Sequence, residues 1–372
     1  MTPSSTTNMA PEDLRDQGAT ASPPALSPRQ SRVVGALLGL HAGDALGATL
    51  EFETHAAIAA RHPRGLRDIV GGGPFSWPAG HATDDTDMTR GVLLAYRDVA
   101  AAAAEGDKED DGAVDVARLA GDYFLRWLQG DWPGRAPGSR PVDIGAATMS
   151  GLLRYLESRD PDRAGAGRGA AGNGSLMRCL PTGLFQADPG RLVDESQRIS
   201  RITHDDRRCT VACAAYNTIV AALVRGSSAD DAVRAGEEVA ARLEGDGDGG
   251  GNGGDTGGGP VLAALRLGRR LSVADMADRR GGPPADVLPG RCAGYVLETL
   301  AVGVAAVLDT GRGLEDVLVD VVRLGRDTDT NAAVAGGLLG ARDGHQAVPS
   351  RWKDKLQFAG EFRQIALSLT PP

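Results

Sequence analysis

Two short acidic strings stand more than 240 positions apart in the chain, Thr83-Asp84-Asp85-Thr86 and Asp327-Thr328-Asp329-Thr330. Each packs two carboxylates and two hydroxyls into four residues. Each opens a segment of small residues with helical character instead of lying in a hydrophilic charge run. An unpaired carboxylate at the start of a buried helix is costly, so the two strings together read as half-sites for a divalent cation. Oxygen-only ligands suit a hard ion, magnesium before manganese or calcium. Adjacent residues on a regular helix diverge by about 100°. Asp84 and Asp85 would therefore serve one ion each, or bridge two near an irregular helix start, where free backbone N–H groups also hold anions. Taken singly, each string reads as well as a solvated helix cap; as a pair they read as a site. Two neighbouring divalent ions polarise a water and neutralise developing negative charge, which is the chemistry of hydrolysis. No histidine and cysteine set suits a redox metal.

Two further stretches carry candidate chemistry. Asn173-Gly174-Ser175 offers glycine-flanked polar side chains and free backbone N–H groups, a plausible phosphate cradle; as a glycine loop alone it would also be ordinary. No Gly-Lys-Ser/Thr follows, so it is not a Walker loop. Arg178, just downstream, either adds positive charge there or pairs with a carboxylate. In Thr203-His204-Asp205, His204 stands at an interhelix junction, as a donor to a ligand or as part of a helix cap.

The elements that must position these residues read as helices. From Ser31 to Leu50 glycine recurs every fourth position, at Gly35, Gly39, Gly43 and Gly47, making one smooth face whose propensity cost is tolerable if a neighbour packs very close. Further helices are predicted from Thr83 or Asp84 past Tyr96, around 119–128, 143–157, 191–202, 205–225, 229–243, 261–280, 292–308, 313–324 and 331–341. Clean period-2 alternation is scarce and aromatic residues make up 4% of the chain, so the fold class read here is all-α. Residues 1–30, rich in Ser, Thr and Pro without periodicity, read as a disordered tail. A single catalytic domain covers 31–360, interrupted by a glycine-rich loop at 245–259, and 361–372 form a C-terminal segment.

Composition narrows the function classes. The 372 residues carry 40 basic and 49 acidic side chains, a net charge of −9, which argues against a general nucleic-acid surface. The four cysteines, Cys179, Cys209, Cys213 and Cys292, form no CxxC pair and read as small core residues. The N-terminal residues lack an apolar signal-peptide core, and no run is long and apolar enough to span a membrane; a reducing cytoplasm is the expected location, and a monomer the expected state.

With these motifs in hand, the chain resembles the ADP-ribosylglycohydrolase family, the relatives of dinitrogenase reductase-activating glycohydrolase and the ADP-ribosyl-acceptor hydrolases. The matching pieces are GALLGLHAGDALG (35–47), TDDT (83–86), GNGSLMR (172–178), Thr203-His204, GYVLETL (294–300) and DTDT (327–330). They occur in the family's order across about 31–360. The resemblance implies a compact all-α enzyme with a central small-residue helix and a dinuclear magnesium cleft, manganese being a substitute. It would cleave ADP-ribose from an acceptor at C1″. Carried over motif by motif, it implies Thr83, Asp84, Asp85, Asp327, Asp329 and Thr330 as metal ligands, with Asp84, Asp85, Asp329 and Glu51 as the catalytic set. Asp44 would be a buried supporting acid. Phe75, Gly172, Asn173, Gly174, Ser175 and His204 would bind substrate, the glycine loop taking the diphosphate. The substrate is expected to be an ADP-ribosylated protein, arginine-linked before serine-linked, or a small or nucleobase-linked ADP-ribosyl compound; a non-catalytic ADP-ribose-binding module is the rival of another class. The family writes glycine where this chain has Arg326, which bears on acceptor preference.

Overall fold

The computed structural model describes residues 25–105, 114–245 and 258–372. Most of the expected N-terminal tail, part of the charge-rich stretch after residue 101 and most of the glycine-rich loop lie outside those residues. Among the described residues the chain forms sixteen helices. The first eight are α1 (Pro28–Gly47), α2 (His55–Arg61), α3 (Asp84–Glu105), α4 (Val116–Leu128), α5 (Ala146–Ser158), α6 (Leu180–Phe185), α7 (Pro189–Arg201) and α8 (Arg207–Arg225). They are followed by α9 (Ala229–Gly245), α10 (Pro260–Gly268), α11 (Val273–Asp278), α12 (Val296–Leu308), α13 (Leu314–Arg323), α14 (Thr328–Asp343), α15 (Ser350–Lys353) and α16 (Ala359–Leu369). Extended pairing among the described residues is limited to isolated bridges, and no helix there is long and apolar enough to cross a membrane.

Ser27 starts α1 by accepting from the Gln30 N–H, while the Gln30 side chain accepts from the Ser27 N–H in return. This reciprocal cap, with Pro28 at the first turn, begins the helix three residues before the sequence reading placed it. The glycine face then lies antiparallel against α14. A Cβ on Gly43 would fall 2.0 Å from the Ala332 carbonyl oxygen, and one on Gly39 would fall 2.3 Å from that of Gly336. From the other side, a Cβ on Gly340 would fall 2.0 Å from the Gly35 carbonyl oxygen. Two backbones meet at distances only glycine permits. Because the helices run in opposite directions, the C-terminal end of α1, with Asp44 and Gly47, lies beside the N-terminal end of α14, with Asp329.

The structure divides some elements that periodicity had joined. The expected helix over 261–280 is two, α10 and α11, because Gly268 packs against Val304 and the Ala301 carbonyl and Ser272 caps a new helix by accepting from the Asp275 N–H. The expected helix from Cys292 starts only at Val296. Arg291, Cys292 and Gly294 have positive φ (50°, 64° and 95°), which a right-handed helix cannot contain. The boundary at residue 360 falls within α16, whose Phe362 and Ala366 are fully buried; Gln30 of α1 also donates to the Thr370 carbonyl. Short helices α2, α6 and α15 have too few turns to show periodicity in sequence.

Candidate active site

Asp44 of α1 is fully buried and organises the first acidic string from outside its own helix. Its carboxylate accepts from the Thr83 N–H at 3.2 Å and the Thr83 hydroxyl at 2.8 Å. It also accepts from the Thr86 N–H at 3.2 Å and from the Thr86 hydroxyl. These bonds satisfy orphan donors at the start of α3. One turn along, Asp87 accepts from the indole N–H groups of Trp127 at 2.9 Å and Trp132 at 2.8 Å, fastening α3 to α4 and the loop after it. The start of α3 is thereby fixed in position and angle.

The second string opens α14. Thr330 donates from Oγ1 to Asp85 Oδ2 at 3.2 Å, joining residues 245 apart in sequence; Thr83 Oγ1 lies 3.4 Å from the same oxygen. The Thr330 N–H donates to Asp329 Oδ1 at 2.9 Å. Before the helix, Gly325 and Arg326 both take positive φ, 84° and 71°. There the chain pairs with the loop after α1: the Phe52 N–H donates to the Arg326 carbonyl and the Arg326 N–H to the Glu53 carbonyl, both at 2.7 Å. That clamp sets Glu51 beside the acidic strings.

A cavity of about 550 Å³ opens here. Asp84, Asp327, Asp329, Thr330 and Glu51 line it, as do Phe75, Gly172, Asn173, Gly174 and His204. Thr83 and Asp85 lie just beneath, buried. Ser175 is the exception among the expected substrate contacts. Its hydroxyl is turned into the core, accepting from Ser200 Oγ at 2.9 Å and Cys213 Sγ at 3.6 Å. Asn173 is at the cleft, but its amide holds protein groups, donating to Asp327 Oδ2 at 2.6 Å and Thr299 Oγ1 at 2.9 Å; the side chain orients a carboxylate. Phe75 meets the exposed Phe52 edge-on at 6.2 Å. Cys209 and Cys213 are free and buried, in the core as their spacing suggested.

Sequence reading missed Asp143, Asp87, Thr148 and Phe52. Asp143 accepts from the Asp84 N–H at 3.0 Å, but it stands alone after a Pro/Gly loop with no local pattern around it. Asp87 was legible as one more acid on α3, not as a tryptophan anchor.

Electrostatically the cleft is crowded with acid. Burial, then neighbouring carboxylates, pushes the Asp84, Asp85 and Asp329 carboxyls well above the ordinary range, and burial also raises Asp327. Burial raises Glu51 to about 8, with Asp327, Asp143 and Asp44 adding to the effect. It raises Asp44 to about 7 against its threonine hydrogen bonds, and Asp143 to about 6. Among the described residues no three His, Cys, Asp or Glu side chains converge as a metal cluster by themselves, so the dinuclear centre inferred from sequence is not preformed in carboxylates alone. Asp85 Oδ2, Asp327 Oδ2 and Asp329 Oδ1 are engaged by protein donors. Asp85 Oδ1 and Glu51 Oε2, however, are buried with no donor among the described residues. Buried acceptors without donors, among repelling carboxylates and threonine hydroxyls, are a donor set that fits a hard cation.

An all-α scaffold here brings two acidic helix starts into one cleft. The ADP-ribosylglycohydrolase family model matches residues 25–371, and the chain belongs to the ADP-ribosylglycohydrolase family, whose members are hydrolases acting on ADP-ribosylated substrates. It is 31% identical over 334 residues to the ADP-ribosyl-[dinitrogen reductase] glycohydrolase of Rhodospirillum rubrum, covering 89% of this chain and 92% of that protein. It is 29% identical to the ADP-ribosylarginine hydrolase Tri1 of Pseudomonas putida (strain GB-1), covering 92% of this chain and 80% of that protein. Among solved structures, an ADP-ribosylglycohydrolase-related protein complex superposes with a TM-score of 0.68 at 28% identity, covering 92% of this chain and 98% of that one.

Proposed function

We propose that the protein releases ADP-ribose from a modified acceptor, an arginine side chain foremost, by magnesium-assisted hydrolysis of the C1″ glycosidic bond in this cleft. The observation that carries the reading is the meeting of the two acidic strings through Thr330 and Asp85, beside buried carboxylate oxygens that lack donors. Thr83, Asp84, Asp85, Asp327, Asp329 and Thr330 would hold two ions. Bound there, the ions would polarise a water and offset charge that develops during bond cleavage. Glu51, whose carboxyl is pushed up to about 8 chiefly by burial and then by Asp327, Asp143 and Asp44, would give a proton to the leaving atom. Asn173 fixes the Asp327 carboxylate, and Asp44 fixes the backbone from which Asp84 and Asp85 project.

Arginine as acceptor is supported by the Pseudomonas putida relative, named an ADP-ribosylarginine hydrolase. One observation favours a second reading. Arg326 is exposed and lines the cleft, and a fixed cation there would disfavour a guanidinium acceptor over an O-linked or nucleobase-linked one.

The purified protein, with magnesium and then with EDTA, is to be incubated with ADP-ribosylated arginine, serine and nucleobase substrates, and free ADP-ribose quantified. Release from the arginine substrate that EDTA abolishes is expected. Release from the serine or nucleobase substrate instead would transfer the assignment to the second reading, and release from none would overturn the hydrolase reading.

A further inference from the structure

Arg178 is fully buried and, among the described residues, forms no ion pair with any carboxylate. Its Nη1 donates to the Gly174 carbonyl at 2.9 Å. Its Nη2 donates to the Ile199 carbonyl at 3.3 Å and to Thr203 Oγ1 at 2.7 Å, and its guanidinium lies 4.6 Å from the Phe124 ring centre. A buried cation without a counter-ion is expensive, yet this one sits directly behind the glycine loop of the cleft.

Thr203 Oγ1, itself fully buried, lies 2.8 Å from His204 Nδ1. A guanidinium cannot accept a hydrogen bond, so the threonine oxygen accepts from Arg178 and its single proton must go elsewhere. Among the described residues, the one acceptor in reach is His204 Nδ1. Were Nδ1 to carry a proton instead, the threonine hydroxyl would be buried with its proton unpaired, at the cost of a lost hydrogen bond. The neutral ring therefore carries its proton on Nε2. Burial, with Arg178 adding to it, lowers His204 to about 3, which keeps the ring neutral through the physiological range.

Nε2 is the nitrogen nearest the cleft. A Cβ on Gly172 would lie 3.5 Å from it, and a Cβ on Gly174 would lie 3.3 Å from it and 2.9 Å from Cε1. Glycine at 174 lets the ring edge reach the cavity wall.

We propose that Arg178 and Thr203 are positioning residues that fix His204 as an Nε2–H donor facing the cleft, so that the ligand group opposite it is a hydrogen-bond acceptor, a phosphoryl oxygen. The uncompensated Arg178 charge behind the same wall favours an anionic group over a neutral acceptor. The ligand part of this proposal rests on the ADP-ribose reading above; the tautomer part does not.

The test uses Thr203→Val, which keeps shape but cannot donate, and Thr203→Ser, which restores the hydroxyl. Ring ¹⁵N spectra of His204 in the ligand-free protein are expected to show the Nε2–H tautomer in the wild type and in Thr203→Ser, and its loss or mixing in Thr203→Val. Thr203→Val is expected to weaken binding of ADP-ribose about tenfold or more, to leave adenosine binding within about twofold, and to raise KM with little change in kcat; Thr203→Ser should restore all three. An Nδ1–H tautomer in the wild type, an unchanged tautomer in Thr203→Val, or equal weakening of ADP-ribose and adenosine would each overturn the proposal. A wild-type protein that binds no ADP-ribose while showing the Nε2–H tautomer would overturn the ligand assignment and the hydrolase reading, and leave the positioning role supported.

Discussion

Asp329 tests the acidic cleft most sharply at the scale of a residue, because removing its charge has opposite expected effects on stability and on activity. Its carboxyl is held well above the ordinary range by burial and then by Glu51, Asp327 and Asp85, so without a cation it opposes folding. Asp329→Asn keeps the shape and removes the repulsion. The metal-free variant is expected to melt at the wild-type temperature or above it, while magnesium-dependent turnover falls on the order of a hundredfold or more and the magnesium-induced rise in Tm disappears. Thermal melts with and without magnesium, beside an ADP-ribose release assay, would check this; unchanged turnover would remove Asp329 from the site. Glu51→Gln separates a different role. If Glu51 supplies the leaving-group proton, the variant should lose on the order of 10²- to 10⁴-fold in kcat on an O-linked substrate, and less on an arginine-linked one, whose guanidine can leave protonated. Equal losses on both would indicate that Glu51 positions substrate rather than donating a proton.

Among elements, the α1–α14 pair connects packing with the site. A Cβ on Gly47 would meet the Thr328 carbonyl oxygen at 2.3 Å and the Asp329 Cα at 2.5 Å. Both are backbone, so the helices must part rather than a side chain turn. Gly47→Ala is expected to cost about 1–3 kcal/mol in urea unfolding and to weaken magnesium binding by displacing Asp329. Gly360 of α16 is the control: among the described residues nothing lies within 4 Å of its added Cβ, so Gly360→Ala should stabilise by about 0.5–1 kcal/mol and leave metal affinity alone. The glycine face was readable in the sequence because a four-residue period survives translation into structure as one side of a helix. The two acidic strings were readable because each is contiguous. Asp143, the tryptophan partners of Asp87 and the inward turn of Ser175 were not, since each depends on which distant element arrives beside it. The start of α12 escaped for a local reason: positive φ at Arg291 and Cys292 breaks a run whose composition still looks helical.

Over the whole molecule, the buried acids make stability depend on pH in a direction opposite to ordinary surface ion pairs. Asp44 is raised to about 7, Glu51 and Asp87 to about 8, and Asp143 to about 6, in each case chiefly by burial. In the unfolded chain these carboxyls titrate near about 4. Between those values the folded state binds more protons than the unfolded state, so unfolding free energy falls as pH rises. The metal-free protein should therefore lose stability progressively from about pH 4 to about pH 8. Pairs such as Asp115 with Arg198, where the salt bridge holds the carboxyl below its usual range against burial, contribute the other way only at lower pH, where they are lost as the acid protonates. Melts of EDTA-treated protein across pH 5–8 should show a falling Tm. On the proposed reading, in which magnesium would bind the deprotonated acids, it should raise Tm more at pH 8 than at pH 5, because at the lower pH it must displace the protons that already relieve the repulsion. A Tm that rises with pH in EDTA would mean that the cleft acids are compensated within the protein, and would remove the electrostatic reason for a cation there.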